Sequence, residues 1–127
     1  MAKLHPLIAV VDDEASVRTM LRRALRLADY EVAEYASGEA FLQSRPARMP
    51  VCVILDLHLQ GLSGLAVAQR LRAGGPHLPF ILITASDDPA IDAAAAEAGA
   101  VRLLRKPFST DVLLAAVRDA EAMAMRG

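Results

Sequence analysis

Apolar positions along the chain follow two rhythms that take turns. Short unbroken runs, "LIAVV" (7–11), "VCVIL" (51–55) and "FILIT" (80–84), are too short for a helix and rich in β-branched residues. They predict strands over 7–11, 51–56 and 80–84, buried on both faces. "EVAEY" (31–35) alternates only weakly and reads as an exposed edge strand, and "VRLLR" (101–105) as a fifth strand. Between these runs the apolar spacing becomes i, i+3, i+4. Val17, Met20, Leu21, Ala24, Leu25 and Ala28 predict an amphipathic helix over 15–28. Ser37 is a good N-cap for a short helix over 37–44, and 65–73 reads as another after the turn "GLSG". A loop over 74–79 precedes the fourth strand. An acid before Pro89 suits N-cap and N1 positions, and Gly99 a helix stop, which predicts a helix over 88–98. The last helix starts near Ser109 and runs to 124, with Leu113, Ala116, Val117 and Ala120 on one face.

Strand and helix therefore alternate five times, (βα)₅. Helical crossovers imply a parallel sheet covered on both faces, an α/β doubly wound fold. In open sheets of this type ligands bind beyond the carboxyl ends of the strands. No linker, repeat or low-complexity segment interrupts the pattern. The expectation is one domain over 1–127 with no effector domain following.

Composition narrows the picture. A chain of 127 residues with 54% hydrophobic and 23% charged residues suits an ordinary globular domain. Its net charge of −1 argues against a generally basic nucleic-acid-binding surface. The one cysteine, Cys52, lies within the apolar run 51–55 and reads as a buried core thiol, in keeping with a reducing cytoplasm. Apolar runs fall far short of the roughly 18 residues a membrane span needs. Aspartate follows the first strand too early for a secretory signal. A cytoplasmic location without membrane contact is expected.

The strand ends carry the candidate chemistry. The first strand runs into Asp12, Asp13 and Glu14, the third ends at Asp56, the fourth at Thr84, and the fifth leads to Lys106–Pro107. Adjacent carboxylates repel, and burying one unpaired is costly. Acids also suit a first helical turn, which accounts for Glu14. For Asp12 and Asp13 a cation site completed by Asp56 is the stronger reading. Mg²⁺ takes near-octahedral oxygen ligands, usually one or two carboxylates plus water and phosphate oxygens. Asp13 and Asp56 can ligate directly, and Asp12 can hold a metal-bound water. A carboxylate beside Mg²⁺ can attack phosphorus, while Lys106 and Thr84 neutralise or hydrogen-bond the phosphoryl oxygens. Alone, a Lys–Pro ends a loop and a threonine suits a strand. Together, on four strands of one sheet, these residues are specific.

"VVDDE", "VILDLHLQGLSG", "ILITA" and "LLRKPF" resemble the motifs of the response-regulator receiver domain of two-component signalling, across essentially the whole chain. "SGEAFL" and "AGAVRLLRKPF" look closest to the branch that includes nitrogen-fixation regulators. The resemblance implies the flavodoxin-like strand order 2-1-3-4-5. It also implies that Asp56 takes a phosphoryl group from the phosphohistidine of a sensor histidine kinase or histidine phosphotransfer protein. By the same resemblance Asp12, Asp13, Asp56 and the backbone carbonyl of His58 hold Mg²⁺, and Thr84 and Lys106 engage the phosphate. The Lys106–Pro107 bond is expected to be cis. Such a domain switches the binding of a downstream protein partner, and catalyses only its own phosphorylation and dephosphorylation. His58 and Ser86 would border the path of the hydrolytic water; an exposed, idle histidine is the alternative.

The sequence departs from the family twice. Leu59–Gln60 stand where Met–Pro is usual, which removes proline's fixed φ. Leu103 stands where an aromatic residue normally turns inward as the threonine moves, so a switch is expected to run through Thr84 and the helix over 88–98. That helix is alanine-rich, with Ile91 its only large apolar residue, and is expected to dock weakly. Arg102 and Arg105 are expected to offer charge on the partner face. His5 and His77 read as solvated, and Met123 and Met125 as a frayed helix end. Two rivals stand beside this reading. A Mg²⁺-dependent aspartyl-phosphate phosphatase usually has Asp-x-Asp on its first strand and a cap that has no counterpart here. An unphosphorylated scaffold is supported by Leu103 and opposed by the full acid–Thr–Lys set.

Overall fold

The computed structural model describes residues 4–44, 46, 48–74 and 78–126. His77 lies outside them. The elements follow the predicted alternation: β1 (Leu7–Val11), α1 (Ala15–Leu27), β2 (Glu31–Tyr35), α2 (Gly38–Gln43), β3 (Cys52–Asp56), α3 (Gly64–Ala73), β4 (Phe80–Thr84), α4 (Ala90–Ala98), β5 (Arg102–Arg105) and α5 (Thr110–Arg126). All pairings are parallel, and the strand order is β2-β1-β3-β4-β5. The α/β doubly wound sheet in flavodoxin-like order is therefore observed.

Period-two alternation splits the strands between two layers. Ile8, Val10, Ile54, Ile81 and Ile83 face α1 and α5, against Leu21, Leu25, Leu113, Ala116, Val117 and Ala120. Ala9, Val11, Val53, Leu55 and Leu82 face α2, α3 and α4, against Phe41, Val67, Ala68, Leu71 and Ala95. β1, β3 and β4 are buried throughout, which explains their unbroken apolar runs, whereas β2 and β5 are edge strands with partly exposed residues. Phe41 is fully buried and meets Tyr35 edge-on, with ring centroids 5.1 Å apart. Cys52 is fully buried, and burial pushes its thiol far above the usual range.

Helix ends follow local chemistry. Ser37 Oγ accepts from Ala40 N–H, and Ser63 Oγ from Ala66 N–H. Asp88 Oδ1 accepts from Ala90 N–H at 3.0 Å, but the N-cap position of α4 falls on Pro89, one residue later than expected. Gly99 ends α4 in the left-handed conformation, φ 88°, where glycine has no Cβ penalty. Val51 and Val101 donate to the neighbouring strands but fall just outside β3 and β5. α5 continues to Arg126, so Met123 and Met125 lie within the helix rather than at a frayed end; Met125 is 82% exposed.

The α4 face carries polar ties beside its small apolar contact. Ile91 and Ala95 give α4 few apolar anchors, but arginines tie it at both ends. Arg105 donates to both carboxylate oxygens of Asp92 at 3.1 Å, to the Ser86 carbonyl at 3.1 Å and to the Asp88 carbonyl at 3.0 Å. Arg72 donates to the carbonyls of Glu97 and Ala98 at the other end. These exposed ties add to the limited apolar contact of Ile91, Ala95 and Ala98, since alanine buries little. Arg102 and Arg105 carry their charge in solvent-exposed pairs. Arg102 pairs with Asp119 at 2.6 Å, and Arg105 with Asp92. Among the described residues no helix is long and apolar enough to cross a membrane.

Candidate functional site

Parallel strands bring their carboxyl ends to one rim, and the buried polar residues among those described gather there: Asp12, Asp56 and Thr84. Asp12 follows β1 and is fully buried. Its Oδ1 accepts from Glu14 N–H at 2.9 Å, as α1 begins, and its Oδ2 faces Lys106 Nζ at 3.1 Å. Arg18 reaches back from α1 to the Asp12 carbonyl at 2.7 Å. Asp56 closes β3, where Oδ1 accepts from His58 N–H at 3.2 Å and Oδ2 lies 3.7 Å from Lys106 Nζ. Asp13 is exposed, with Gln60 N–H 3.4 Å from its Oδ2. Lys106 is carried past the end of β5 by a backbone bond from its N–H to the Thr84 carbonyl, 2.7 Å, and the following Lys106–Pro107 bond is cis, as expected.

Asp12, Asp13 and Asp56 can each bring a carboxylate oxygen within 4.8 Å of the other two. That geometry concentrates negative charge against a single ammonium. Burial pushes the Asp56 carboxyl above its ordinary range, and the nearby Asp12 adds to the effect. The His58 N–H and Lys106 oppose it without cancelling it. Burial pulls the Lys106 ammonium down, but its bond to Asp12 and the charges of Asp12, Asp56 and Glu14 more than compensate, leaving it raised. The site is therefore short of positive charge. Its donors are all hard oxygens on a rim with one exposed wall, which suits Mg²⁺ and not a thiophilic metal.

Thr84 ends β4 beside this cluster. Its Oγ1 accepts from Ser86 N–H at 3.1 Å and lies 3.0 Å from His58 Nε2. His58 is exposed, and its ring reaches Thr84. His5 is exposed, as expected. Leu103 is half-buried and packs on the layer holding Ala95 and Ile91. α3 approaches the site closely: a Cβ on Gly64 would lie 2.3 Å from the Asp56 carbonyl oxygen.

The sequence-derived set of Asp12, Asp13, Asp56 and Lys106 is thus brought together, with Thr84 and His58 alongside. Sequence reasoning missed Arg18 on the Asp12 carbonyl, the His58–Thr84 contact and the Arg105 clamp. Only the second had a signal: His58 stands two residues past a strand-terminal acid, and Thr84 ends a neighbouring strand.

A family model for the response regulator receiver domain matches residues 8–118. The response regulator MprA of Mycobacterium bovis is 37% identical over 129 aligned positions, covering 94% of this chain and 56% of that protein. The chain therefore spans about half the length of the curated relatives it matches. A response regulator receiver protein from Burkholderia phymatum superposes with a TM-score of 0.81 at 39% identity, covering 92% of this chain and 95% of that one. The beryllofluoride-activated DrrB receiver domain superposes with a TM-score of 0.82 at 30% identity, covering 91% and 97%. These relatives do not support the nitrogen-fixation-regulator branch suggested by "SGEAFL". The family match spans the sheet and the whole acidic rim, and the chain belongs to the receiver domains of two-component response regulators.

Proposed function

We propose that Asp56 is the phosphoacceptor of this receiver domain. The observation that carries the reading is a buried carboxylate at the end of β3, 3.7 Å from Lys106 and sharing a rim with Asp12 and Asp13. An Asp56 oxygen attacks phosphorus, the bond from phosphorus to the donor's histidine nitrogen breaks, and that nitrogen keeps the electron pair. Bound Mg²⁺ would neutralise charge developing on the phosphoryl oxygens. Asp13 and Asp56 would ligate it with the His58 carbonyl, and Asp12 would hold a metal-bound water. Lys106 and the Thr84 hydroxyl take the remaining phosphoryl oxygens. The donor is a sensor histidine kinase or a histidine phosphotransfer protein in the cytoplasm. The domain catalyses nothing beyond its own phosphorylation and dephosphorylation, and with a net charge of −1 it does not itself bind nucleic acid.

Output follows a polar route. Thr84 is bonded to Ser86 N–H, and the Ser86 carbonyl to Arg105, which grips Asp92 of α4. Movement of Thr84 toward the phosphoryl group would disturb this chain and shift 84–98, while Leu103 changes little. A downstream protein partner reads the resulting face. Incubation with acetyl phosphate and Mg²⁺ is expected to add one phosphate by intact mass to the wild type and none to Asp56→Asn. A Mg²⁺-dependent, alkali-labile phosphate on Asp56→Asn would refute the assignment.

A further inference from the structure

Thr84 is fully buried, and its hydroxyl carries a single proton. One lone pair is already taken by Ser86 N–H. Among the described residues the group placed to receive the proton is His58 Nε2, 3.0 Å away. A buried hydroxyl without an acceptor is costly, so we assign the contact to the tautomer in which Thr84 donates and Nε2 accepts. The phosphoacceptor reading requires that same proton for a phosphoryl oxygen. The two acceptors compete for it.

We propose that the His58 side chain is a positioning residue that holds Thr84 in its unphosphorylated arrangement. The inference rests on the phosphoacceptor reading and adds a restraint on it. In the resting domain the imidazole takes the hydroxyl proton that the phosphoryl group would need. Phosphorylation must break the His58–Thr84 bond before Thr84 can serve the phosphoryl group, so the active arrangement is populated less than it would be without His58. The side chain is exposed, so it can be replaced without opening the core, and replacement leaves the His58 backbone carbonyl in place. This role is distinct from a steric effect on hydrolytic water, because it acts only through Thr84.

The test is titration of the domain with beryllofluoride in excess Mg²⁺, followed by amide NMR. His58→Leu removes the acceptor and is expected to tighten binding about five-fold, the fold-change for a hydrogen bond of ordinary strength. His58→Gln keeps an acceptor of similar reach and is expected to remain near wild type. In a Thr84→Ala background, His58→Leu is expected to change nothing. Equal affinity of wild type and His58→Leu would overturn the restraint while leaving Asp56 as acceptor. A change that persists without the Thr84 hydroxyl would also overturn it, since His58 would then act by another route. Failure of the wild-type protein to bind beryllofluoride at all would overturn the phosphoacceptor reading and the restraint with it.

Discussion

Gly64→Ala is a small change that the packing beside Asp56 makes severe. The new Cβ would lie 2.3 Å from the Asp56 carbonyl oxygen and 2.9 Å from Leu57 Cα, and both neighbours are backbone. Opening these contacts to ordinary separation requires a shift of roughly 1 Å between the α3 N-terminus and the end of β3. Overpacking of this sort costs about 1–3 kcal/mol, and rigid neighbours place the cost at about 2–3. An unfolding entropy of about 2.1 cal/mol/K per residue, over 127 residues, turns that into a fall in Tm of about 7–11 °C. The displacement also carries the Asp56 carboxylate away from Lys106, so phosphate uptake from acetyl phosphate is expected to slow at least about ten-fold, since misplacement by about 1 Å is costly in transfer reactions. Gly74→Ala is the comparison, because its Cβ would meet only the Arg70 carbonyl, at 3.2 Å. Thermal melts and initial rates by mass spectrometry measure both effects. A Gly64→Ala domain that melts within 2 °C of wild type and takes up phosphate at the wild-type rate would refute the packing argument.

Mg²⁺ at ten times its Kd is expected to stabilise the domain by about 1.4 kcal/mol, or about 5 °C in Tm, with the gain lost in Asp13→Ala; a Tm indifferent to millimolar Mg²⁺ would count against the metal site. Because the Asp56 carboxyl is raised in the fold, its contribution to stability is full below the unfolded carboxylate range and disappears as pH rises through the folded value. In chelator, Asp56→Asn is therefore expected to be more stable than wild type at pH 7, with the advantage shrinking toward pH 4; chemical denaturation giving a less stable variant at pH 7 would contradict this. Arg105→Gln breaks the clamp on Asp92 and is expected to speed amide exchange in α4 while leaving α5 unchanged; unaltered exchange across 88–98 would show that the clamp does not hold the helix.

The parallel strands were legible because burial on both faces leaves an unbroken apolar run, as at 51–55 and 80–83. The acidic rim was legible because a parallel sheet sends every strand end the same way, so Asp12, Asp56 and Lys106 had to meet. The clamps were not. Arg105 and Asp92 lie on different elements, and nothing in their spacing says that one guanidinium also collects the Ser86 and Asp88 carbonyls. The slight apolar contact of α4 was legible in its alanines, of which Ala95 alone is buried, whereas the polar ties from β5 and α3 were not. The His58–Thr84 bond depends on β3 lying beside β4 and on side-chain direction at the strand ends, which periodicity does not carry. The helical reach of Met123 and Met125 was missed because terminal residues without large apolar anchors look alike whether coiled or helical.

Mapping the phosphate tests the central claim most directly. After brief treatment with acetyl phosphate and Mg²⁺, borohydride reduction converts an aspartyl phosphate to homoserine, which peptide mass spectrometry locates. The expected result is homoserine at position 56 alone, dependent on Mg²⁺ and lost in Lys106→Met. Homoserine at Asp12 or Asp13, or none under conditions where intact mass shows an added phosphate, would contradict the account.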